Sequence, residues 1–132
     1  MTARAENVKA TVAAFAARLD GRDWDGFAAL LHPDVIYEVP QTRERIRGRD
    51  RYVTFNREYP GAWRIDPVLI LGDERDGSLL FRWTVGADGE VAEDQLAIAY
   101  FEVDDGLITK ITDFWPGPYE PPPGREHLTE RW

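Results

Sequence analysis

The stretch that decides the fold reads FEVDDGLITKITDFWP and spans residues 101–116. β-branched and aromatic residues dominate on both sides of Asp104-Asp105-Gly106, which predicts two strands joined by a tight hairpin. Asp and Gly suit this turn because they tolerate the positive φ that short hairpin loops require. A loop this short forces the two strands to run antiparallel.

The same pattern continues toward the N-terminus. Two loops rich in Asp and Gly, at residues 72–77 and 86–89, separate further runs of β-branched and aromatic residues. Together with the closing hairpin, these runs predict a four-strand antiparallel meander. The predicted strands are Trp63 to Leu71, Ser78 to Val85, Glu90 to Val103 and Leu107 to Trp115.

The first 60 residues have the spacing of helices rather than strands. Gly21 ends a first predicted helix, whose apolar face consists of Val8, Val12, Phe15 and Leu19. Asp23 is an N-cap for a second helix that Pro33 ends, with an apolar face made of Trp24, Phe27, Leu30 and Leu31.

A strand is predicted at residues 34–40, followed by a charged loop up to Gly48. A third helix then carries Tyr52, Phe55 and Tyr59 on one face and stops at Pro60-Gly61. Three helices followed by an antiparallel meander is an α+β order, in which the helices cover one face of the sheet.

The composition limits the class of protein. The 132 residues fit one domain, 1–132, and residues 116–132 form a proline-rich C-terminal tail that packs on its own domain or on a partner. A net charge of −8 argues against binding to nucleic acid or to anionic lipid surfaces. No membrane-spanning or targeting segment is visible, so a cytoplasmic protein is expected.

The order of these elements resembles the nuclear transport factor 2-like superfamily, and more closely its SnoaL-like polyketide cyclase group. The resemblance lies in the two N-terminal helices, the strand with an aromatic residue, the Arg47-Gly48-Arg49-Asp50 turn into the third helix, and the meander that ends DDGLITKITDFWP. It implies a cone, in which a strongly curved antiparallel sheet is covered by three N-terminal helices around an internal pocket. It also implies a homodimer through the outer sheet face. The superfamily includes isomerases, cyclases, epoxide hydrolases and non-catalytic binding domains, so the fold leaves the function open.

Asp113 is the first candidate for chemistry, because a period of two places it on one strand face with Ile111 and Trp115. Burial among apolar groups would raise the pKa of this carboxyl and make it a usable general acid or base. The resemblance implies the same role, since the matching aspartate does acid/base work in the SnoaL-like and limonene epoxide hydrolase groups. The alternative is a structural carboxylate held by loop amides or by an arginine.

Tyr37 and Arg82 complete the predicted catalytic set. Set against limonene epoxide hydrolases, Arg82-Trp83-Thr84 keeps the arginine of their Arg-x-Asp but has threonine in place of the acid. Tyr37-Glu38-Val39 keeps their water-holding tyrosine but lacks the asparagine two residues later. Pairing with Arg82 would lower the pKa of Asp113, whereas Tyr37 alone would leave burial dominant. A surface arginine on the dimer face and a core tyrosine are the alternatives.

The many aromatic residues predict a pocket for a flat hydrophobic ligand, although each would also serve as a core residue. The predicted substrate-binding residues are Trp24, Tyr52, Phe55, Asn56, Trp83 and Trp115, with Tyr59 and Trp63 in the same aromatic group. Glu93 and Asp94 are expected as solvated edge carboxylates, and His32 as a structural residue at a helix end. The arginines between residues 43 and 51 are either solvated or attract an anionic substrate.

No phosphate-binding glycine loop, nucleophile elbow or metal-ligand cluster appears in the sequence. The sequence therefore predicts an enzyme without a cofactor that performs acid/base catalysis of the isomerase, cyclase or hydrolase type. Its substrate is expected to be a small hydrophobic molecule, with Asp113 moving the proton. The alternative is a non-catalytic domain that binds a small ligand or forms a dimeric interaction module.

Overall fold

The structure is a computed structural model that describes residues 2–86 and 93–132. Three helices and six strands follow one another as α1 (Ala3–Asp20), α2 (Trp24–Ala28), β1 (Leu31–Val39), β2 (Glu44–Arg47), α3 (Arg49–Arg57), β3 (Trp63–Gly72), β4 (Asp76–Val85), β5 (Glu93–Asp104) and β6 (Leu107–Phe114). The predicted loop at 86–89 and the start of the predicted strand 90–103 lie largely outside the described residues.

The capping residues place the helix boundaries. The Oγ1 atom of Thr2 accepts a hydrogen bond of 3.1 Å from the Ala5 amide at the start of α1, and Gly21 caps its end as predicted. The Asp23 carboxylate accepts from the Gly26 amide at 3.0 Å and starts α2. Gly48, with a φ of 98°, precedes α3. All three predicted helices are therefore confirmed.

The strands form one open sheet in the order β2-β1-β6-β5-β4-β3. The predicted antiparallel meander is confirmed for β3, β4, β5 and β6. β1 runs parallel to β6, with Tyr37 beside Ile111, so the sheet is mixed. This parallel pairing places β1, from the N-terminal half of the chain, next to β6, the strand that carries Asp113.

Two local predictions are wrong. The charged loop before Gly48 contains a strand, since residues 44–47 pair with β1 through Tyr37 and Ile46. The second helix ends at Ala28, so Pro33 lies within β1 and does not end a helix. His32 is also in β1 rather than at a helix end, where its Nδ1 accepts a hydrogen bond from the Asp34 amide at 3.0 Å.

The core lies between α1 and one face of the sheet. The predicted face of α1 is buried, and the ring of Phe15 contacts that of Phe101 on β5 with centroids 4.8 Å apart. Alternate residues of β4, β5 and β6 turn toward this core, which leaves a cavity lined by both helical and strand residues. None of the helices among the described residues is long and apolar enough to cross a membrane.

Candidate active site

Asp113 lies on the inner face of β6 and has only 8% of its surface exposed. Tyrosines aside, it is the only buried polar or charged side chain among the residues that the structure describes. Its Oδ2 atom accepts a hydrogen bond of 2.6 Å from the Tyr37 hydroxyl. The parallel pairing of β1 with β6 creates this contact, because it sets Tyr37 beside Ile111, two residues before Asp113 on the same face.

The surroundings set the charges of this pair. Burial raises the pKa of Asp113 to about 6, and the hydrogen bonds from Tyr37 and the Trp115 side chain offset part of that rise. Burial and the nearby Asp113 carboxylate raise the pKa of Tyr37 far above its usual value. Tyr37 therefore remains a hydrogen-bond donor, while Asp113 exchanges its proton close to neutral pH.

The two side chains line a cavity of about 340 Å³, which is within the usual range for small-molecule sites. Most of its wall is aromatic, and the aromatic residues are Phe15, Tyr37, Tyr52, Phe55, Tyr59, Trp63, Phe81, Trp83 and Trp115. Phe55 and Tyr59 are 37% and 46% exposed, so they mark the mouth. The cavity therefore presents a largely apolar surface to a ligand, with one titratable carboxyl deep inside it.

Contacts between rings hold this wall in place. The rings of Tyr37 and Tyr52 lie 4.6 Å apart, and those of Trp63 and Trp83 are stacked at 5.3 Å with an interplanar angle of 13°. The ring of Trp115 meets that of Trp83 edge-on at 5.1 Å. The guanidinium of Arg22 lies 3.4 Å from the Trp63 ring centroid, so a cation–π contact supports the stack from behind.

Five of the six predicted ligand-binding residues line this cavity, namely Tyr52, Phe55, Asn56, Trp83 and Trp115. The amide nitrogen of Asn56 donates to the Tyr52 carbonyl at 2.9 Å, which fixes that side chain on α3. Trp24 is not part of the lining, since it packs against Phe27 with ring centroids 6.1 Å apart. The prediction for Trp24 is therefore wrong in position, whereas substrate binding by the other five stays a prediction.

Arg82 does not reach Asp113. It lies on the opposite face of β4 from the buried residues Phe81 and Trp83, and its Nη1 atom is 3.1 Å from Oδ2 of Asp94. Both members of this ion pair are about half exposed, so Asp94 is a solvated carboxylate, as expected. The alternative of a surface arginine therefore holds, and Tyr37 is the partner of Asp113.

Three polar residues on the β1–β2 connection and at the start of β2 line the cavity and were not predicted. Gln41, Thr42 and Glu44 are exposed, and they place amide, hydroxyl and carboxylate groups at the mouth. The carbonyl oxygen of the Gln41 side chain accepts a hydrogen bond of 3.0 Å from the Trp115 amide, which ties this connection to the end of β6. The pairing of β2 with β1 brings these residues to the cavity. A charged stretch of sequence does not predict such a pairing, so their position could not be read from the sequence.

The described residues contain no group of three or more His, Cys, Asp or Glu side chains that could hold a metal ion. The cavity instead offers one buried carboxyl, one tyrosine hydroxyl and an apolar wall. This set can bind a neutral hydrophobic molecule and move a proton on or off it.

The fold and this cavity define a class of protein, and comparison with known proteins agrees. Residues 12–111 match the family described as the SnoaL-like domain, and the chain belongs to that family. The nuclear transport factor 2-like resemblance is thereby confirmed. None of the curated proteins matches the chain significantly.

Solved structures share the whole architecture. A protein of Kribbella flavida with the provisional name ketosteroid isomerase is 45% identical, with a TM-score of 0.91 over 97% of this chain and 91% of that one. An M. tuberculosis LEH-like epoxide hydrolase is 27% identical, with a TM-score of 0.72 over 83% of each chain. A Xanthomonas campestris protein provisionally named a polyketide cyclase is 19% identical, with a TM-score of 0.73 over 86% of this chain and 93% of that one, and shows the fold alone.

Proposed function

We propose that the protein is an acid/base enzyme without a cofactor, which transfers a proton on a small hydrophobic molecule in an isomerase- or cyclase-type reaction. The observation that carries the proposal is the Tyr37–Asp113 pair, a buried carboxyl with a pKa of about 6 in an aromatic cavity. A carboxyl that titrates near neutral pH both accepts and returns a proton under ordinary conditions.

The chemistry that suits this pair is proton removal next to a carbonyl. Asp113, ionised at neutral pH, takes a proton from carbon, and the electron pair moves onto the carbonyl oxygen to form an enolate. Tyr37 remains protonated, and once Asp113 has taken up the proton, the single Tyr37 O–H can leave that carboxyl and donate to the enolate oxygen. Asp113 then returns the proton to a different carbon, or the enolate carbon attacks a second carbonyl and closes a ring, in which case Asp113 gives its proton to the oxygen of that carbonyl. Both outcomes need only a carboxyl and a donor.

Hydrolysis of an epoxide is less well supported. The LEH-like neighbour is described as an epoxide hydrolase, and that chemistry in the resembling group uses an arginine and a second acid. Here Arg82 faces outward in an ion pair with Asp94, and Thr84 stands where the second acid is expected. Asp113 is therefore without a second buried carboxylate among the described residues.

The first experiment measures which small molecules bind. Trp63, Trp83 and Trp115 are part of the cavity wall, so a bound molecule should alter their fluorescence. Small cyclic ketones that bind are then incubated with the protein in D₂O, and deuterium uptake next to the carbonyl is followed by NMR. We expect uptake well above the buffer rate, and a loss of about 100-fold or more in Asp113→Asn, the usual scale of general acid/base catalysis.

The matched control is Asp94→Asn, which removes a carboxylate from the outer face and should leave exchange unchanged. Binding without exchange would support the alternative, a non-catalytic ligand-binding domain. That alternative has one observation in its favour, because the Tyr37 hydroxyl already satisfies one oxygen of Asp113 without any substrate. Exchange that survives Asp113→Asn would overturn the role given to Asp113.

We also propose that the protein forms a homodimer through the outer face of its sheet. Register places Leu69, Leu80, Ile98 and Phe114 in one row across β3, β4, β5 and β6. Leu69 is 50% exposed, and the nearby Leu96 and Tyr100 are 44% and 49% exposed. An apolar row of this length facing water is typical of an interaction surface.

A further inference from the structure

Residues 116–132 leave the end of β6 and run outside the sheet and helices. Every residue of this tail except Pro121 is exposed, and Tyr119 and Leu128 have 84% and 80% of their surfaces exposed. The Trp132 side chain is fully exposed as well. A segment with three large apolar side chains in water is expected to bury them against another surface.

Within the part of the chain that the structure describes, the hydrogen bonds and ion pairs of the tail do not attach it to the rest of its own domain. The Leu128 amide donates to the Arg125 carbonyl at 3.0 Å, and Arg131 pairs with Glu120 at 3.4 Å, so these bonds join residues of the tail to each other. None of the residues lining the three main cavities and grooves of the described chain belongs to it. The tail therefore holds a local shape without docking on its own domain.

The Kribbella flavida structure includes residues that correspond to most of this tail. It aligns with 97% of the present chain at a TM-score of 0.91, and the remainder is too short to contain the whole tail. Most of the tail therefore corresponds to ordered residues in a solved protein. A proline-rich segment with no anchor on its own domain needs another surface to fix it.

The position and length of the tail indicate which surface that is. It begins two residues after Phe114, the β6 member of the outer apolar row, and therefore at the rim of the proposed dimer interface. Once the Glu120–Arg131 contact opens, the tail can extend to about 3.1 Å per residue, so residues 116–132 reach roughly 50 Å. A domain of this size is about 30–35 Å across, so the tail can pass over a partner.

We propose that the tail of each copy crosses to the second copy and packs Tyr119, Leu128 and Trp132 on the partner's outer sheet face. Val68 and Leu71 on the edge strand β3 are 55% and 52% exposed. These two side chains form part of the apolar surface that the tail of the other copy covers. The prolines limit the freedom of the unbound tail, which lowers the entropy lost on docking. This proposal rests on the dimer proposed above.

Cross-linking tests which copy the tail touches, and the absence of native cysteines makes single-cysteine labelling unambiguous. Thr129→Cys is labelled with a benzophenone maleimide, and ¹⁵N-labelled and unlabelled chains are mixed, dissociated and allowed to reassociate before illumination. We expect cross-links that join ¹⁵N to ¹⁴N peptides and that map to the outer sheet face. The control Ala10→Cys, an exposed position on α1, should give none. Cross-links confined to one chain, or none at all, overturn the proposal.

A full-length variant measures what the contact contributes. Replacing Tyr119, Leu128 and Trp132 together by serine keeps the length and charge of the tail. We expect the dimer dissociation constant to rise at least tenfold by sedimentation velocity, with the thermal midpoint of the domain unchanged at concentrations where both proteins are monomeric. An unchanged dissociation constant overturns the tail contact and leaves the dimer standing. A wild-type protein that is monomeric overturns both.

Discussion

At the scale of single residues, the Tyr37–Asp113 hydrogen bond combines a donor that stays protonated with an acid that titrates near neutral pH. The ordinary pKa of the carboxyl is 3.8, and burial raises the pKa of Asp113 to about 6. Its pKa thus tells how strongly the cavity excludes water. Both properties can be tested without knowing the substrate.

The first prediction concerns stability against pH. Between the unfolded value of 3.8 and the folded value of about 6, the folded wild type binds more protons than the unfolded chain, so its stability falls as the pH rises. The free energy of unfolding of Asp113→Asn should therefore rise relative to wild type across this window, by roughly 3 kcal/mol, and stay level above it. Urea titrations at several pH values give this difference. A difference independent of pH would contradict the raised pKa.

The second prediction concerns the partner of the acid. The Tyr37 hydroxyl lowers the pKa of Asp113 by donating to its ionised form, so Tyr37→Phe should raise the titration midpoint of Asp113 further. The midpoint can be read from the carboxyl ¹³C shift of Asp113 by NMR. Tyr59→Phe removes a hydroxyl at the cavity mouth and should leave the midpoint unchanged. A midpoint that falls in Tyr37→Phe would contradict the role of this hydrogen bond.

Sequence reasoning placed Asp113 and Tyr37 on the inner faces of their strands, because alternation along a strand assigns residues to faces reliably. The same rule shows why Arg82 faces away from Asp113. Arg82 and Trp83 are neighbours in β4, so only one of them can face the cavity, and Trp83 is the buried one. Trp24 was misplaced because an aromatic residue on a short helix carries no signal about which cavity it faces.

At the scale of secondary-structure elements, the helices followed from their caps and apolar spacing, while strand pairing was harder. Glu44, Arg45 and Arg47 give β2 the composition of a solvated loop, although charged residues are common on edge strands. The parallel pairing of β1 with β6 joins distant parts of the chain, and no local pattern encodes it. Gln41, Thr42 and Glu44 at the cavity mouth were therefore beyond prediction.

The third prediction concerns the join between α1 and β3. The Asp20 carboxylate, at the end of α1, accepts hydrogen bonds from the Ile65 amide at 2.9 Å and from Nη2 of Arg64 at 2.8 Å. Asp20→Ala leaves the buried Ile65 amide without this partner and should lower the free energy of unfolding by about 1–3 kcal/mol.

The control Arg64→Ala removes only a highly exposed ion-pair partner and should cost much less. Urea denaturation of the two variants measures both effects. Equal losses would mean that the ion pair, rather than the amide contact, joins the helix to the sheet.

At the scale of the whole molecule, the sheet has two faces with different roles. The inner face builds the cavity, and the outer face carries the apolar row across four strands. The resemblance to the nuclear transport factor 2-like superfamily predicted this overall arrangement, and the fold is shared with solved structures at a TM-score of up to 0.91. The substrate was not predictable, because related folds host several reactions.

The fourth prediction concerns assembly. Leu69→Glu puts a charge in the outer row at a half-exposed position, so it should split the proposed dimer while leaving the monomer folded. Light scattering after size exclusion should shift from twice the chain mass toward 15.1 kDa. Ala10→Glu adds the same charge on an exposed position of α1 and should remain dimeric. A Leu69→Glu protein that is still dimeric would place the interface elsewhere.

The burial of Asp113 has a further consequence for how ligands bind. A hydrophobic molecule that fills the cavity but has no carbonyl to react excludes water from the carboxylate, and so favours its protonated form. Binding near neutral pH is then coupled to uptake of a proton from the buffer. The heat of binding should accordingly differ between buffers of different ionisation enthalpy, and this dependence should vanish in Asp113→Asn. The occupied cavity therefore holds more protons than the empty one near neutral pH.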